Sequence, residues 1–347
     1  SFNLDLSGLE VNAITVDGRT AEHRRKGDEL VISCPQTLVA GAEFTVDVAY
    51  SGRPEPVRDA ELFWLGWQQV GDYVHTLDEP LGAATWYPVN DHPSDKATYT
   101  FRVTVPKPYT AVANGVLVET IDQGGKRTFV WEMRQALASY LAAVSIGEYE
   151  LEESEAPNGV LIRNYFASGL AGKAPPLFAP TADMIAYFAE QFGPYPFEAY
   201  GVVVPMAATE AAMENQTISL FGTDVLERLS SDTTTRDVYL SHELAHQWFG
   251  NSVTITRWAD IWLSEGFATY ASWLWLEHDQ GPRALQAMVD ESLRMLRGKD
   301  FPLLTDPGSD LFSANVYRRG ALTLHALRLT VGDETFLGIL REWATRY

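Results

Sequence analysis

One cysteine, Cys34, is all that 347 residues provide, so no internal disulfide can form and stability has to come from packing. That is compatible with a cytoplasmic setting without requiring one. No run of eighteen or more consecutive apolar residues occurs, so no membrane-spanning helix is expected. Positive charge is scarce as well: 26 Lys and Arg face 46 Asp and Glu, a net charge of −20. An acidic body repels a phosphate backbone, which argues against a nucleic-acid partner. Internal repeats and low-complexity tracts are lacking, as are an initiator methionine and a signal sequence. Phe2, Leu4 and Leu6 alternate as in a strand already under way, and the last residues to Tyr347 form an amphipathic helical pattern with no glycine stop. Both ends therefore read as cut from a longer protein.

What is present suits a globular chain of about two domains with a large core: 46% of residues are apolar and 21% charged. Residues 1–168 read as β. Alternating runs at 44–50, 99–105 and 112–118 are punctuated at Pro54, Asn114-Gly115 and Gly124-Gly125, and the Gly-Gly pair between two apolar runs predicts a hairpin. An all-β domain of two packed or strongly twisted sheets is expected. From residue 169 to 347 the pattern turns helical. Helices are predicted at about 175–192, 233–249 with Asp232 as N-cap, 263–277, 282–296 and 316–330, with short strands at 200–205 and 215–221. The fold class is α+β.

The densest chemistry lies in HELAHQWFG (242–250) and WLSEGFATY (262–270). On a helix, His242 and His246 fall one turn apart on one face, so two imidazoles can converge on a single divalent ion. Glu265 can be a third ligand if its helix runs back past the first, leaving a fourth position open to water, and an open position marks a catalytic site. Glu243 lies outside both the ligand set and the apolar stripe, which suits it to take a proton from water. Asp260 is a candidate partner for a ligand histidine or, equally, a helix N-cap.

With these motifs the chain resembles the aminopeptidase N family of zinc metallopeptidases, which also contains the leukotriene-epoxide hydrolase. The resemblance covers nearly the whole chain and implies a β domain followed by a thermolysin-like, mainly helical catalytic domain. It also implies one Zn²⁺ ion on His242, His246 and Glu265. AAMEN (211–215) is similar to the family's Gly-x-Met-Glu-Asn exopeptidase motif, with Ala211 in place of the leading glycine. The motif implies substrate binding by Ala212, Met213 and Glu214 on an edge strand, with Glu214 on the substrate's α-ammonium. Tyr317, in NVYRRGA, falls where the family has its transition-state tyrosine, usually followed by Glu-Lys-Gly; Arg318 reverses a charge there. Glu79-Pro80 ahead of WYPVNDHP is similar to the segment supplying a second amine-binding side chain, Glu79.

The implied activity is hydrolysis of the N-terminal peptide bond of peptides with a free N-terminus, by attack of zinc-activated water. Glu243 would be the general base and Tyr317 the oxyanion stabiliser. A thermolysin-type endopeptidase or an epoxide hydrolase would keep the metal without needing the amine anchor. A catalytically silent zinc-containing scaffold would need neither Glu243 nor Tyr317.

Overall fold

The computed structural model describes residues 1–58, 64–308 and 310–346, so the C-terminal position of the last helical pattern, Tyr347, lies outside the described residues. The first 51 residues form two three-stranded sheets that close on a small core of Leu6, Leu9, Ile14, Val16, Leu30 and Ile32. Next come a three-stranded antiparallel sheet built around the long strand Lys126–Ala138 and a five-stranded sheet that contains Trp64–Val70 and Tyr73–Leu77. Gln123 and Lys126 pair directly, so Gly124-Gly125 is the tip of a two-residue hairpin, as expected, with Gly124 at φ 64°.

The run at 112–118 is not one strand. Gly115 at φ 84° breaks it into Thr110–Ala113 and Val116–Gln123, which pair in different sheets. A side chain at Gly115 would also strike the Glu132 carbonyl, so glycine is required there twice over.

A mixed sheet takes strands from both sides of residue 168. Tyr149–Glu155 pairs antiparallel with Leu161–Ala167, which pairs in parallel with Val202–Val204, and that strand pairs with Ser219–Leu220. Met213 bridges Leu220 at the outer edge. The strand expected at 215–221 is mostly a turn. Ile218 N–H donates to the Asn215 carbonyl and Thr217 sits at φ 71°, which leaves only Ser219–Leu220 extended.

Eight helices follow among the described residues: α1 (Pro175–Phe178), α2 (Thr181–Phe192), α3 (Thr223–Leu229), α4 (Thr233–Ala245), α5 (Trp262–Gln280), α6 (Pro282–Leu296), α7 (Gly320–Val331) and α8 (Asp333–Arg346). The helix expected at 175–192 is interrupted before Thr181 because Pro180 has no N–H to continue the ladder. Regular α4 stops at Ala245, and residues 246–251 turn back through Gly250 at φ 119°. Helix α5 is buried continuously from Ser264 to Leu276, the pattern of a helix surrounded on all sides. None of these helices is long and apolar enough to cross a membrane.

Candidate active site

Helix α4 starts where Asp232 Oδ1 accepts the Thr235 N–H at 2.8 Å, and its last turn delivers the two histidines. Their Nε2 atoms lie 3.1 Å apart. Glu265, in the first turn of α5, places Oε2 3.1 Å from His242 Nε2 and 3.4 Å from His246 Nε2. Zinc bonds of about 2.0–2.2 Å in a tetrahedron put neighbouring donors roughly 3.3–3.5 Å apart, so these three atoms fit the face of such a site.

His246 is held by its other nitrogen. Its Nδ1 lies 3.1 Å from the Phe249 carbonyl, which can only accept, so Nδ1 carries a hydrogen and Nε2 is the atom left for a metal, which would take the place of a proton there. Ser264 Oγ is also 3.1 Å from Nδ1. Asp260 does not contribute to this support. Its carboxylate is paired with Arg257 at 2.6 Å, and the N-cap of α5, Ile261, makes no side-chain cap bond. Neither of the two roles that spacing left open for Asp260 is seen; the Phe249 carbonyl and the serine immediately before Glu265 support His246 instead.

Glu214 and Glu79 arrive from different directions. The Glu214 carbonyl is clamped by Asn251 Nδ2 at 2.7 Å and Gln247 Nε2 at 3.1 Å, both from the turn that follows α4. Its carboxylate Oε1 has no hydrogen-bond partner and lies 3.9 Å from His246 Nδ1. Glu79 follows the strand Tyr73–Leu77, and its Oε1 is likewise buried and unpartnered. Carboxylate oxygens of Glu79, Glu214 and Glu265 come within 4.8 Å of one another. The turn preceding Glu214 puts Glu210, not Ala211, in the left-handed region at φ 66°, which is why alanine is accommodated where the related motif has glycine.

Tyr317 lies in a single π-helical turn, Asn315–Arg319, that runs into α7, and its ring stacks on His242 with centroids 5.8 Å apart. A close crossing brings it there. Gly266, next to Glu265, faces Gly320, and a Cβ added to either would sit 2.9 Å from the other's Cα. Neither glycine has positive φ, so the crossing, not the backbone conformation, demands them.

The site therefore gathers four buried carboxylates around two imidazoles. Burial, and then Glu214, pushes Glu243 well above the usual carboxylate range; Glu79 is pushed up by burial and by Glu214, Glu265 and Glu243. Burial opposes a charge on Glu265, but His246 and His242 outweigh it and hold the carboxyl at about 2. Burial likewise disfavours charged His246, yet Glu214 and Glu265 raise it to about 10. A donor set this rich in negative charge calls for cations, and its nitrogen and oxygen donors suit zinc. The Tyr317 hydroxyl is pushed well above its ordinary value, by burial first and then by Glu265 and Glu79, and so keeps its proton.

Two cavities share the walls Ala211, Ala212, His242, Glu243, Phe312 and Tyr317. The smaller, about 180 Å³, holds Glu79, Glu214, Met213, Leu65 and Leu77; the larger, about 460 Å³, extends along Tyr239, Trp273 and Met288 to Arg228 and Arg318. Every residue singled out from the motifs for metal, substrate or catalysis lines one or both. Leu65, Leu77 and Phe312 were not foreseen, since each is an ordinary apolar residue on a segment remote from the motifs.

Residues 4–141 match the model of the peptidase M1 N-terminal domain and residues 178–347 that of the peptidase family M1 domain. Human aminopeptidase N is 26% identical over 88% of this chain and 35% of its own length. Probable aminopeptidase 1 of Sulfurisphaera tokodaii is 26% identical over 96% of this chain and 43% of its own length. The chain thus spans less than half the length of these curated relatives. The crystal structure of the M1 zinc metallopeptidase of Deinococcus radiodurans superposes with a TM-score of 0.89 at 34% identity, covering 99% of this chain and 78% of that one. A mutant of the same metallopeptidase, solved with a Tyr-Ser-Ala substrate, is 35% identical. Sequence models for both parts of the chain and a solved relative that it spans over most of its length agree, and the chain belongs to peptidase family M1.

Proposed function

We propose that the chain carries the active site of a zinc-dependent aminopeptidase that removes single residues from the free N-terminus of peptides. One observation carries this reading: two buried, unpartnered carboxylates, Glu79 and Glu214, stand beside the His242, His246 and Glu265 donors. Buried carboxylate oxygens without hydrogen-bond partners are costly to desolvate unless an ammonium group completes them. Fixing an α-ammonium there sets the first peptide bond, and no later one, over the metal donors.

Zinc held by His242, His246 and Glu265 would supply Lewis acidity, making a water a stronger acid at neutral pH and polarising the scissile carbonyl. Glu243 takes the proton of the attacking water and passes it to the leaving amine, and its raised proton affinity suits that exchange. Tyr317 keeps its phenolic hydrogen and donates it to the oxyanion, an interaction made only as the carbonyl becomes tetrahedral. Leu65, Leu77, Met213 and Phe312 form an apolar socket for the side chain of the N-terminal residue, and the rest of the peptide leaves through the larger cavity. In the same reading residues 1–168 are the β domain, which contributes Glu79, and residues 169–347 the thermolysin-like domain.

Hydrolysis of leucyl peptides with free and N-acetylated termini tests the proposal. Acetylation removes the positive charge that Glu79 and Glu214 bind, so cleavage should fall by orders of magnitude, and Glu214→Ala should narrow the gap. Equal cleavage of the two substrates by the unaltered chain sinks the exopeptidase reading in favour of an endopeptidase.

A further inference from the structure

The larger cavity carries a charge that the chemistry above does not use. Its two cations differ in their surroundings. Arg228 is shared with Asp224, at 3.7 Å, and reaches the Glu210 carbonyl at 3.5 Å. Arg318 has one hydrogen bond, to Ser292 Oγ at 3.4 Å, and no carboxylate among the described residues pairs with it. It is half-buried, follows Tyr317 directly, and lines the larger cavity alone, not the smaller one that holds Glu79 and Glu214. The amine end of a substrate and Arg318 therefore lie on opposite sides of the His242, Glu243 and Tyr317 wall. Glu210 also lines the larger cavity but is exposed, so solvent screens it more strongly.

A half-buried guanidinium with a lone weak hydroxyl partner is underused, because its planar fork matches a carboxylate best. Resting on the aminopeptidase reading, the path of the substrate is fixed: amine at Glu79 and Glu214, scissile bond at the metal donors, leaving residues toward Arg318. We propose that Arg318 receives a carboxylate carried by the leaving part of the substrate. Two sources share that chemistry: the C-terminal carboxylate of a very short peptide, and an acidic side chain just after the scissile bond. Arg318 is thus a substrate-binding residue that selects on the leaving side.

The test measures kcat/KM of the full chain for Leu-Ala, Leu-Ala amide, Leu-Asp amide and Leu-Asn amide. The carboxylate-bearing member of at least one pair should be favoured by about tenfold or more, the scale of one hydrogen bond to a charged group, chiefly through KM. Raising the salt should erode that preference. Arg318→Ala should bring the ratio close to one, and Arg318→Glu should reverse it. A split confined to the Leu-Ala pair identifies a dipeptide carboxylate, and one confined to the Leu-Asp pair an acidic second residue. Ratios near one in both pairs for the unaltered chain, or a preference that survives in Arg318→Ala, overturn the assignment. If the variants do not fold, the unaltered chain's ratios and their salt dependence still decide it. No hydrolysis of any of the four removes the aminopeptidase reading and this inference together, whereas hydrolysis without carboxylate preference removes this inference alone.

Discussion

Gly320→Ala puts one methyl group into the crossing between α5 and the π-helical turn. The added carbon would sit 2.9 Å from the Gly266 Cα, against the roughly 3.5–4.0 Å at which carbon atoms attract. The shortfall is at least ~0.6 Å, and the obstacle is backbone, which has no rotamer with which to yield. Overpacking of this kind costs about 1–3 kcal/mol, while replacing a helical glycine by alanine returns at most about 1 kcal/mol. With the full helix gain subtracted, the net expectation is a loss of about 0–2 kcal/mol. To relieve the contact, α5 must part from the π-helical turn, and Glu265 and Tyr317 ride on those two elements. Misplacing a catalytic group by ~1 Å costs on the order of 10²-fold, so kcat should drop between about tenfold and 10²-fold. Zinc content should persist, since two of its three donors, His242 and His246, lie in α4 and at its C-cap, away from the crossing. Thermal unfolding, metal analysis and turnover of a leucyl amide read the three quantities. An unchanged melting temperature together with unchanged kcat would show that the crossing has slack and that the reasoning is wrong.

Glu243→Gln should retain one zinc per chain yet lower turnover by at least ~10²-fold, the usual scale for a positioned base; a near-normal rate, or lost metal, contradicts the role given to Glu243. Tyr317→Phe should reduce kcat by an amount equivalent to ~3–4 kcal/mol with little change in KM, and a comparable loss in ground-state affinity would point to packing instead. Burial lowers Lys96 to about 8 from 10.5. Between those values the unfolded chain holds a proton that the folded chain has released, so this group's contribution to stability rises with pH from 8 to 10.5. Melting temperatures of the unaltered chain and Lys96→Met, compared across that window, should show the unaltered chain gaining relative to the variant; parallel curves would contradict it.

Metal ligands were legible because a helix imposes a fixed geometry on residues four apart, and HELAHQWFG offers both imidazoles and a carboxylate within one turn. Tyr317, Glu214 and Glu79 came from resemblance, and the structure brings all three to the smaller cavity. Periodicity failed where local chemistry overrode it. Pro180 divided a helix, Thr217 at positive φ curled an expected strand, and Gly250 ended α4 early. Asp260 was attractive by spacing alone, but in the fold it is Arg257 that holds it. Leu65, Leu77 and Phe312 carry no local signal, since their role comes from a socket assembled out of three distant segments.

The turn after α4 is a point of attachment as much as a stop signal. Lys96, from the long hairpin sheet, donates to the carbonyls of Asn251 at 2.7 Å and Ser252 at 3.1 Å, and the Tyr140 hydroxyl donates to that of Gly250 at 3.3 Å. The same Asn251 turns its side chain inward to the Glu214 carbonyl. One residue thus links the long hairpin sheet of the N-terminal part to the segment that delivers Glu214. In the proposed reading the metal donors sit on α4, its C-cap and α5, whereas the carboxylates that would measure one residue from the substrate's end, Glu79 and Glu214, come from both sides of the seam. Loosening that seam should degrade the counting of residues before it degrades the ability to cut, turning an enzyme with a fixed register into a slow and less discriminating one.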